Sequence, residues 1–399
     1  MRICVAGKNK IAIQTVKNIL DLGVSKENLF VIYNQNENGI NSWQPSFKWY
    51  CQKENISEIT LSDAQSLDDL IFLSTEFDKI IKTEKFKSKE LFNIHFSALP
   101  AYKGMHTSVL PILHGEESSG VTLHKIDDGI DTGEIIDQSI FKIGIDTTAR
   151  ELYDLYLEHG IALIRENLLS LFNKSYSSRP QTSYRSTYFS KKTIDFQNIK
   201  IDINKTAWEI SNQIHAFSFR PYQLPFLLGS KVTHARILDE KSTKKAGSIL
   251  SENEDIIKIT SIDYNLLIFK DKLKEILKHA ELGNISAIES MKKIGFNIFE
   301  KNLKGWDVLI VAAYQNQFST CKWLLENGAN VNTINNNGTS ALMYAMTGAS
   351  RSNDIKTLEL LINSGADTHH KDYSGKALIE YALDLGSKPV IKCIEKYIS

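Results

Sequence analysis

Arg2-Ile3-Cys4-Val5-Ala6-Gly7-Lys8-Asn9-Lys10-Ile11-Ala12-Ile13-Gln14-Thr15-Val16 opens the chain. An apolar run breaks at Gly7 and passes into helical spacing at Ile11, Ile13, Val16, Ile19 and Leu20, before a second apolar run at Phe30-Val31-Ile32-Tyr33. Strand, helix, strand in this order predicts a parallel sheet. In open sheets of that kind ligands meet the carboxyl ends of the strands, so the Gly7 to Lys10 turn, with Lys8 and Asn9 as its polar side chains, is a candidate contact loop. The turn holds one glycine where a dinucleotide fingerprint uses three to bring backbone against a pyrophosphate, which argues against a nicotinamide or flavin cofactor.

Outward from this opening, apolar runs at Leu70-Ile71-Phe72-Leu73 and Phe92-Asn93-Ile94-His95 predict two more strands. A helix is expected from about His106, strands near 120–125 and 134–140, and a long amphipathic helix over 147–171. Residues 173–187, rich in Ser, Tyr, Arg and Pro, have the composition of a linker. Beyond it, residues 188–269 hold a helix at Ala207 to Phe217 and short alternating segments, a small α+β unit. The 399 residues carry 47 basic and 47 acidic side chains, so no global field favours nucleic acid or an anionic membrane. Cys4, Cys51, Cys321 and Cys393 are too scattered for a metal knuckle or a disulfide framework. With no run of 18 apolar residues and an early polar break at Gly7, the chain reads as soluble, cytoplasmic and without a membrane partner.

The chemistry concentrates in Asn93-Ile94-His95-Phe96-Ser97-Ala98-Leu99-Pro100-Ala101-Tyr102-Lys103-Gly104 and Asp128-Gly129-Ile130-Asp131-Thr132-Gly133. Asn93 and His95, one residue apart at a strand end, face the same side, and Asp131 on a glycine-flanked loop can reach the imidazole. An amide donor beside a histidine held by a carboxylate is equipment for acyl transfer, one group for an oxyanion and the other for protons. His106, His114 and His124 show no metal spacing and are read as structural. Asp127, Asp128 and Asp131 lack a calcium-loop pattern, so no metal site is expected.

This pattern resembles the 10-formyltetrahydrofolate-dependent formyltransferases, which share Asn-x-His, Ser-x-Leu-Pro-x-Tyr-Arg-Gly and Asp-x-Gly in this order, over about residues 1–240. The resemblance implies Asn93, His95 and Asp131 as catalytic residues and a pterin pocket at Leu73, Phe77 and Ile81 beside Asp131. Lys103 stands where many members have arginine, keeping the charge without the planar fork. Lys8-Asn9 and the segment Ile214 to Tyr222 look like the dTDP-sugar members, with His215 where relatives often have arginine. Lys8, Asn9, Ser97, Lys103, Arg220 and Tyr222 are the implied substrate contacts, and Phe217, Arg220 and Tyr222 are candidates to stack the base or meet phosphate.

In the last third, Gly295, Gly328 and Gly365 recur with spacings of 33 and 37, and so do Gly305, Gly338 and Gly375. Together with Leu324-Leu325-Glu326-Asn327-Gly328-Ala329-Asn330 this resembles the ankyrin repeat over about 272–399. The four extra residues of the second spacing are expected as a loop around 348–353, and Trp323 as core. Trp306, at the turn where other repeats have Thr339 and Lys376, is expected to be exposed and to stack a nucleotide at an auxiliary site. A second nucleotide sugar or a protein is the expected ligand of the array.

The expected fold class is thus α/β: a Rossmann-like formyltransferase domain (1–186), a small α+β nucleotide-contact and dimerisation domain (187–269), and an all-α ankyrin domain (270–399). The expected activity is formyl transfer from 10-formyltetrahydrofolate to the amine of dTDP-3-amino-3,6-dideoxyglucose for a surface polysaccharide such as O-antigen, by a homodimer. A 4-amino acceptor, or a scaffold that has lost catalysis, are the alternatives.

Overall fold

The computed structural model describes residues 1–398. Contacts divide the chain into two compact units, Met1–Ile40 with Pro45–Asp271, and Asn41–Gln44 with Lys272–Ser399. The first runs β1 (Arg2–Gly7), α1 (Asn9–Asp21), β2 (Leu29–Tyr33), α2 (Phe47–Lys53), β3 (Ser57–Glu58), α3 (Leu61–Ser66), β4 (Leu70–Thr75), β5 (Glu90–His95), β6 (Lys103–Gly104), α4 (Leu110–Leu113), β7 (Ser118–Lys125), β8 (Ile135–Lys142) and α5 (Ala149–Phe172). Its main sheet has the order β3-β2-β1-β4-β5-β7-β8. The first five strands are parallel, as the opening predicts, whereas β7 runs antiparallel to both its neighbours, β5 and β8.

Central β1 is buried from Ile3 to Ala6, the near-continuous apolar run that a parallel strand covered on both faces requires. Helix α1 lays Ile11, Ala12, Val16 and Ile19 into the core. Helix α5 starts at a capping box, Thr148 with Glu151, and buries Leu152, Tyr156, Leu163 and Leu168. The helix expected from His106 shrinks to the single turn Leu110–Leu113, preceded by a turn closed on the His106 carbonyl and followed by Gly115 at a left-handed φ of 71°, which an α-helix does not continue through.

After β9 (Tyr188–Phe189), the second half of this unit places α6 (Ala207–Phe217) on a five-stranded sheet. That sheet holds β10 (Phe226–Leu227), β11 (Ser230–Lys241), β12 (Ile249–Glu252), β13 (Ile256–Thr260) and β14 (Tyr264–Lys270). Ile210 and Ile214 of α6 pack with Val232, Ala235, Ile257 and Ile268. His215 is fully buried here and accepts the Ala235 N–H at 3.2 Å; burial holds its pKa down to about 4. Phe217 is also buried, so it serves the core and is corrected as a stacking platform. Residues 173–187 are no free linker: Arg179 and Ile135 exchange both backbone hydrogen bonds, and the Thr187 carbonyl accepts the Lys103 N–H at 3.0 Å.

The second unit is a series of helix pairs: α7 (Leu273–Leu282) with α8 (Ile285–Ile294), α9 (Val308–Tyr314) with α10 (Phe318–Glu326), α11 (Ala341–Ser352) with α12 (Lys356–Asn363), and α13 (Leu378–Leu385) with α14 (Lys388–Ile398). The insertion expected as a loop at 348–353 instead lengthens α11 by about one turn. Asn353 at φ 56° supplies the left-handed stop, and Gly348 lets α11 close on α9, since a Cβ there would lie 2.7 Å from the Ala313 oxygen. Trp323 is only partly buried, with Lys292 over its ring at 5.9 Å, while Cys321 and Leu324 occupy the core. Among the described residues, no helix is long and apolar enough to cross a membrane.

Candidate active site

Alternation along β5 sends Asn93 and His95 to one face, and the loop between β7 and β8 folds back to bring Asp131 to both. His95 Nδ1 lies 3.4 Å from Asp131 Oδ2, and Asn93 Nδ2 donates to Asp131 Oδ1 at 3.3 Å. On its other side His95 Nε2 donates to the Tyr102 carbonyl at 2.9 Å. The backbone N–H of Gly104 donates to Asp131 Oδ2 at 2.8 Å. His124, read from the sequence as structural, belongs to this cluster. Its Nδ1 faces the Lys125 carbonyl at 2.7 Å and so carries a proton, which leaves Nε2 to accept from Asn93 Nδ2 at 3.1 Å. The orientation of the Asn93 amide follows from these acceptors.

Burial lowers the pKa of His95, outweighing the attraction of Asp131 and the Tyr102 carbonyl, so the ring is held neutral. Burial would raise the Asp131 carboxyl, yet His95, His124 and the Gly104 amide hold it at about 2. Both partners of His95 are acceptors, so the site is built for the imidazolium at the moment the ring takes a proton.

A formyl transferase family profile matches residues 25–168, a formyl transferase C-terminal domain profile residues 193–284, and an ankyrin profile of three copies residues 276–372. The methionyl-tRNA formyltransferase of Clostridioides difficile (strain 630) is 32% identical over 237 residues, spanning 58% of this chain and 74% of that protein. The chain belongs to the formyltransferase family. Among solved structures, an N-formyltransferase from Helicobacter canadensis in complex with folinic acid and dTDP-3-aminofucose is 44% identical, with TM-score 0.65, over 68% of this chain and 100% of that one. WlaRD, a sugar 3N-formyltransferase crystallised in the presence of dTDP and 5-N-formyl-THF, is 45% identical with TM-score 0.64, over 68% and 97%.

Around the cluster of Asn93, His95 and Asp131 the remaining sequence-derived candidates separate. Phe77 and Ile81 share one apolar cluster with Phe72, Phe86 and Ile126, and Ile126 begins the loop that carries Asp131. Thr83 Oγ1 donates to Asp128 of the same loop, tying this wall to it. Leu73, one residue out of phase with Phe72 on β4, points to the opposite face. At the strand ends, Asn9 Nδ2 reaches Glu76 Oε2 and the Tyr153 oxygen, each at 3.5 Å, and the Tyr153 hydroxyl donates to Glu76 at 2.9 Å. Burial raises the Glu76 pKa against the pull of Lys8. Phe219 packs edge-on against Tyr153 at 5.8 Å, and Tyr222, 66% exposed, lies 5.3 Å from Phe219.

Two expected substrate contacts have partners within the protein. Ser97 is 0% exposed, its hydroxyl donating to the Ala101 carbonyl at 2.7 Å, so it shapes the turn after β5. Arg220 is held by Asp271 through two bonds of 2.7 and 3.3 Å, which spends its planar fork inside the second half of the unit. Lys103 Nζ donates to Ser186 Oγ at 3.1 Å. In the ankyrin unit, Trp306 is half-buried rather than fully exposed. It lies 4.7 Å from the Tyr344 ring and 5.5 Å from Tyr314, with the Arg351 guanidinium 4.1 Å over Tyr314. No cluster of three His, Cys, Asp or Glu able to hold a metal exists among the described residues. The contacts of His124, Tyr102, Gly104, Glu76 and Tyr153 with the site were not legible, because hydrogen bonds through backbone atoms and between distant elements leave no sequence spacing.

Proposed function

We propose that the protein moves a formyl group to the amine of dTDP-3-amino-3,6-dideoxyglucose, supplying a formylated sugar for a surface polysaccharide such as O-antigen, as a cytoplasmic homodimer. The observation that carries this reading is the 44% and 45% identity to two sugar N-formyltransferases matched over 100% and 97% of their lengths. A tRNA acceptor, suggested by the names of the curated relatives, is disfavoured by the lower identity of 32% and by a net charge of zero.

The formyl donor of this enzyme class is 10-formyltetrahydrofolate, and it supplies an electrophilic formyl carbon. The apolar wall of Phe77, Ile81 and Ile126, joined to the Asp131 loop, suits the flat ring of such a donor. As the sugar nitrogen bonds to the formyl carbon it must lose a proton, and His95, neutral and flanked by two acceptors, takes it; the bond from the formyl carbon to N10 of the donor then breaks, and the same proton passes from His95 to N10, releasing tetrahydrofolate. Asn93 holds both its N–H bonds on Asp131 and His124; turning one of them onto the formyl oxygen stabilises the negative charge that builds there. Lys8 and Asn9 at the end of β1 and exposed Tyr222 are assigned to the nucleotide sugar, Tyr222 as a stacking surface worth about 1–3 kcal/mol.

The test is mass spectrometry of dTDP-3-amino-3,6-dideoxyglucose, dTDP-3-aminofucose and dTDP-4-amino-4,6-dideoxyglucose after incubation with the donor, with His95→Ala as control. A formyl gain on the first that the variant lacks supports the reading. Gain only on the 4-amino sugar moves the acceptor, and gain on none leaves the chain a scaffold.

The array is assigned a ligand of its own at Trp306, which sits with Tyr314, Tyr344 and Arg351 as an aromatic and cationic surface suited to a second nucleotide sugar. Titration of dTDP with tryptophan fluorescence in wild type and Trp306→Ala decides. Identical second-site binding in both removes the assignment and leaves a protein as the array's ligand.

A further inference from the structure

The segment Ser178 to Phe189 is a strap across both supports of the triad. At its start, Arg179 exchanges backbone hydrogen bonds with Ile135 at 2.8 and 2.9 Å, and Gln181 Nε2 donates to the carbonyls of Asp131 and Gly133, each at 2.8 Å. At its end, Thr187 Oγ1 accepts the Tyr102 N–H at 2.7 Å, the Thr187 carbonyl accepts the Lys103 N–H at 3.0 Å, and the Phe189 carbonyl accepts the Met105 N–H at 2.8 Å. The first set holds the loop that carries Asp131. The second holds the residues whose Tyr102 carbonyl and Gly104 N–H fix His95 and Asp131.

Asp131 and Tyr102 both sit at left-handed φ, 54° and 58°, a conformation that persists in such residues only when neighbours hold it. Gln181 faces two carbonyl oxygens, which only accept, so its amide nitrogen must point at them, and its buried Oε1 has no protein partner. Its whole contribution is therefore to the Asp131 loop. A chain that merely linked two domains would need no side-chain donor on the backbone of a catalytic residue.

We propose that Gln181 is a positioning residue for the transfer reaction, acting through Asp131, and that the strap holds the two arms of the triad in register. This rests on the reading of Asp131 as catalytic. The test uses the full chain, 10-formyltetrahydrofolate and dTDP-3-amino-3,6-dideoxyglucose, or whichever amino sugar accepts formyl, with Gln181→Met, Asp131→Asn and the double variant. A misplacement on the order of 1 Å costs about 10²-fold in rate, so Gln181→Met is expected to lower kcat by about that factor with the sugar KM within about twofold of wild type. In the Asp131→Asn background the same change lowers kcat by less than about twofold, since the group it positions is already impaired. Thermal melting accompanies each variant; if Gln181→Met does not fold, Gln181→Asn, too short to span both carbonyls, takes its place with the same expectations. Unchanged kcat in the single variant, or a full additional loss on top of Asp131→Asn, overturns the proposal. Unchanged activity in Asp131→Asn alone overturns the reading of the triad instead.

Discussion

Replacing Asp131 by asparagine keeps its shape and removes its charge, and the structure says what that charge is worth. Two N–H donors reach the carboxylate, Gly104 N at 2.8 Å and Asn93 Nδ2 at 3.3 Å, and two imidazoles flank it, His95 Nδ1 at 3.4 Å and His124 Nε2 at 3.6 Å, each attractive to it only when protonated. Despite burial, the charge of His95, the His124 ring and the Gly104 amide hold its pKa at about 2, against an ordinary 3.8. At about 1.36 kcal/mol per pH unit, the ionised form is favoured in the fold by roughly 2 kcal/mol. The folded pKa is depressed, so this stability is present above about pH 4 to 5 and is lost as pH falls toward 2. An asparagine offers one acceptor and two donors, and its NH2 would face Asn93 Nδ2, itself a donor. Asp131→Asn is therefore expected to melt several degrees below wild type at pH 7 and to close that gap as pH falls below 4, with kcat reduced about 10²- to 10³-fold. Melting followed from pH 7 to pH 2.5, beside steady-state assays at pH 7, gives both numbers. A melting gap independent of pH would refute the argument that the ionised carboxylate is the stabilised state.

Further expectations follow from neighbouring groups. Because burial puts the His95 pKa below 6.5, kcat at saturating sugar should show no His95 titration as pH falls through 6.5, the loss from protonation of the ring coming only at lower pH; a midpoint above 6.5 that His95→Asn removes from the kcat profile contradicts this. His124→Leu removes the acceptor that sets the Asn93 amide at 3.1 Å, and kcat is expected to fall about 10-fold or more with the sugar KM little changed. Gly348→Ala puts a Cβ 2.7 Å from the Ala313 oxygen, and calorimetry should show the ankyrin unit destabilised by about 1–3 kcal/mol while kcat is unaffected.

Much of this protein was legible along the chain because it repeats or alternates. Period 3.6 in α1 and α5, the buried run of β1, the Asn93 and His95 pair at period 2 and the glycines of the ankyrin array all state geometry locally. A break in pattern was harder to read: composition marks 173–187 as a linker, yet it pairs backbone with two other segments, which no side-chain statistic records. The four inserted residues near Gly348 look like a loop until the neighbouring helix gives them a surface to pack on.

The sequence by itself determined which residues could do the chemistry and which elements would carry them, since residue type and local period are properties of the chain. Only the tertiary structure decided which of those residues meet. It paired Arg220 with Asp271 and Ser97 with Ala101, and brought His124, the Tyr102 carbonyl and the Gly104 amide to Asn93, His95 and Asp131. The physical reason is that hydrogen bonds act over about 3 Å in space, and the sequence separation of the two partners does not enter their energy.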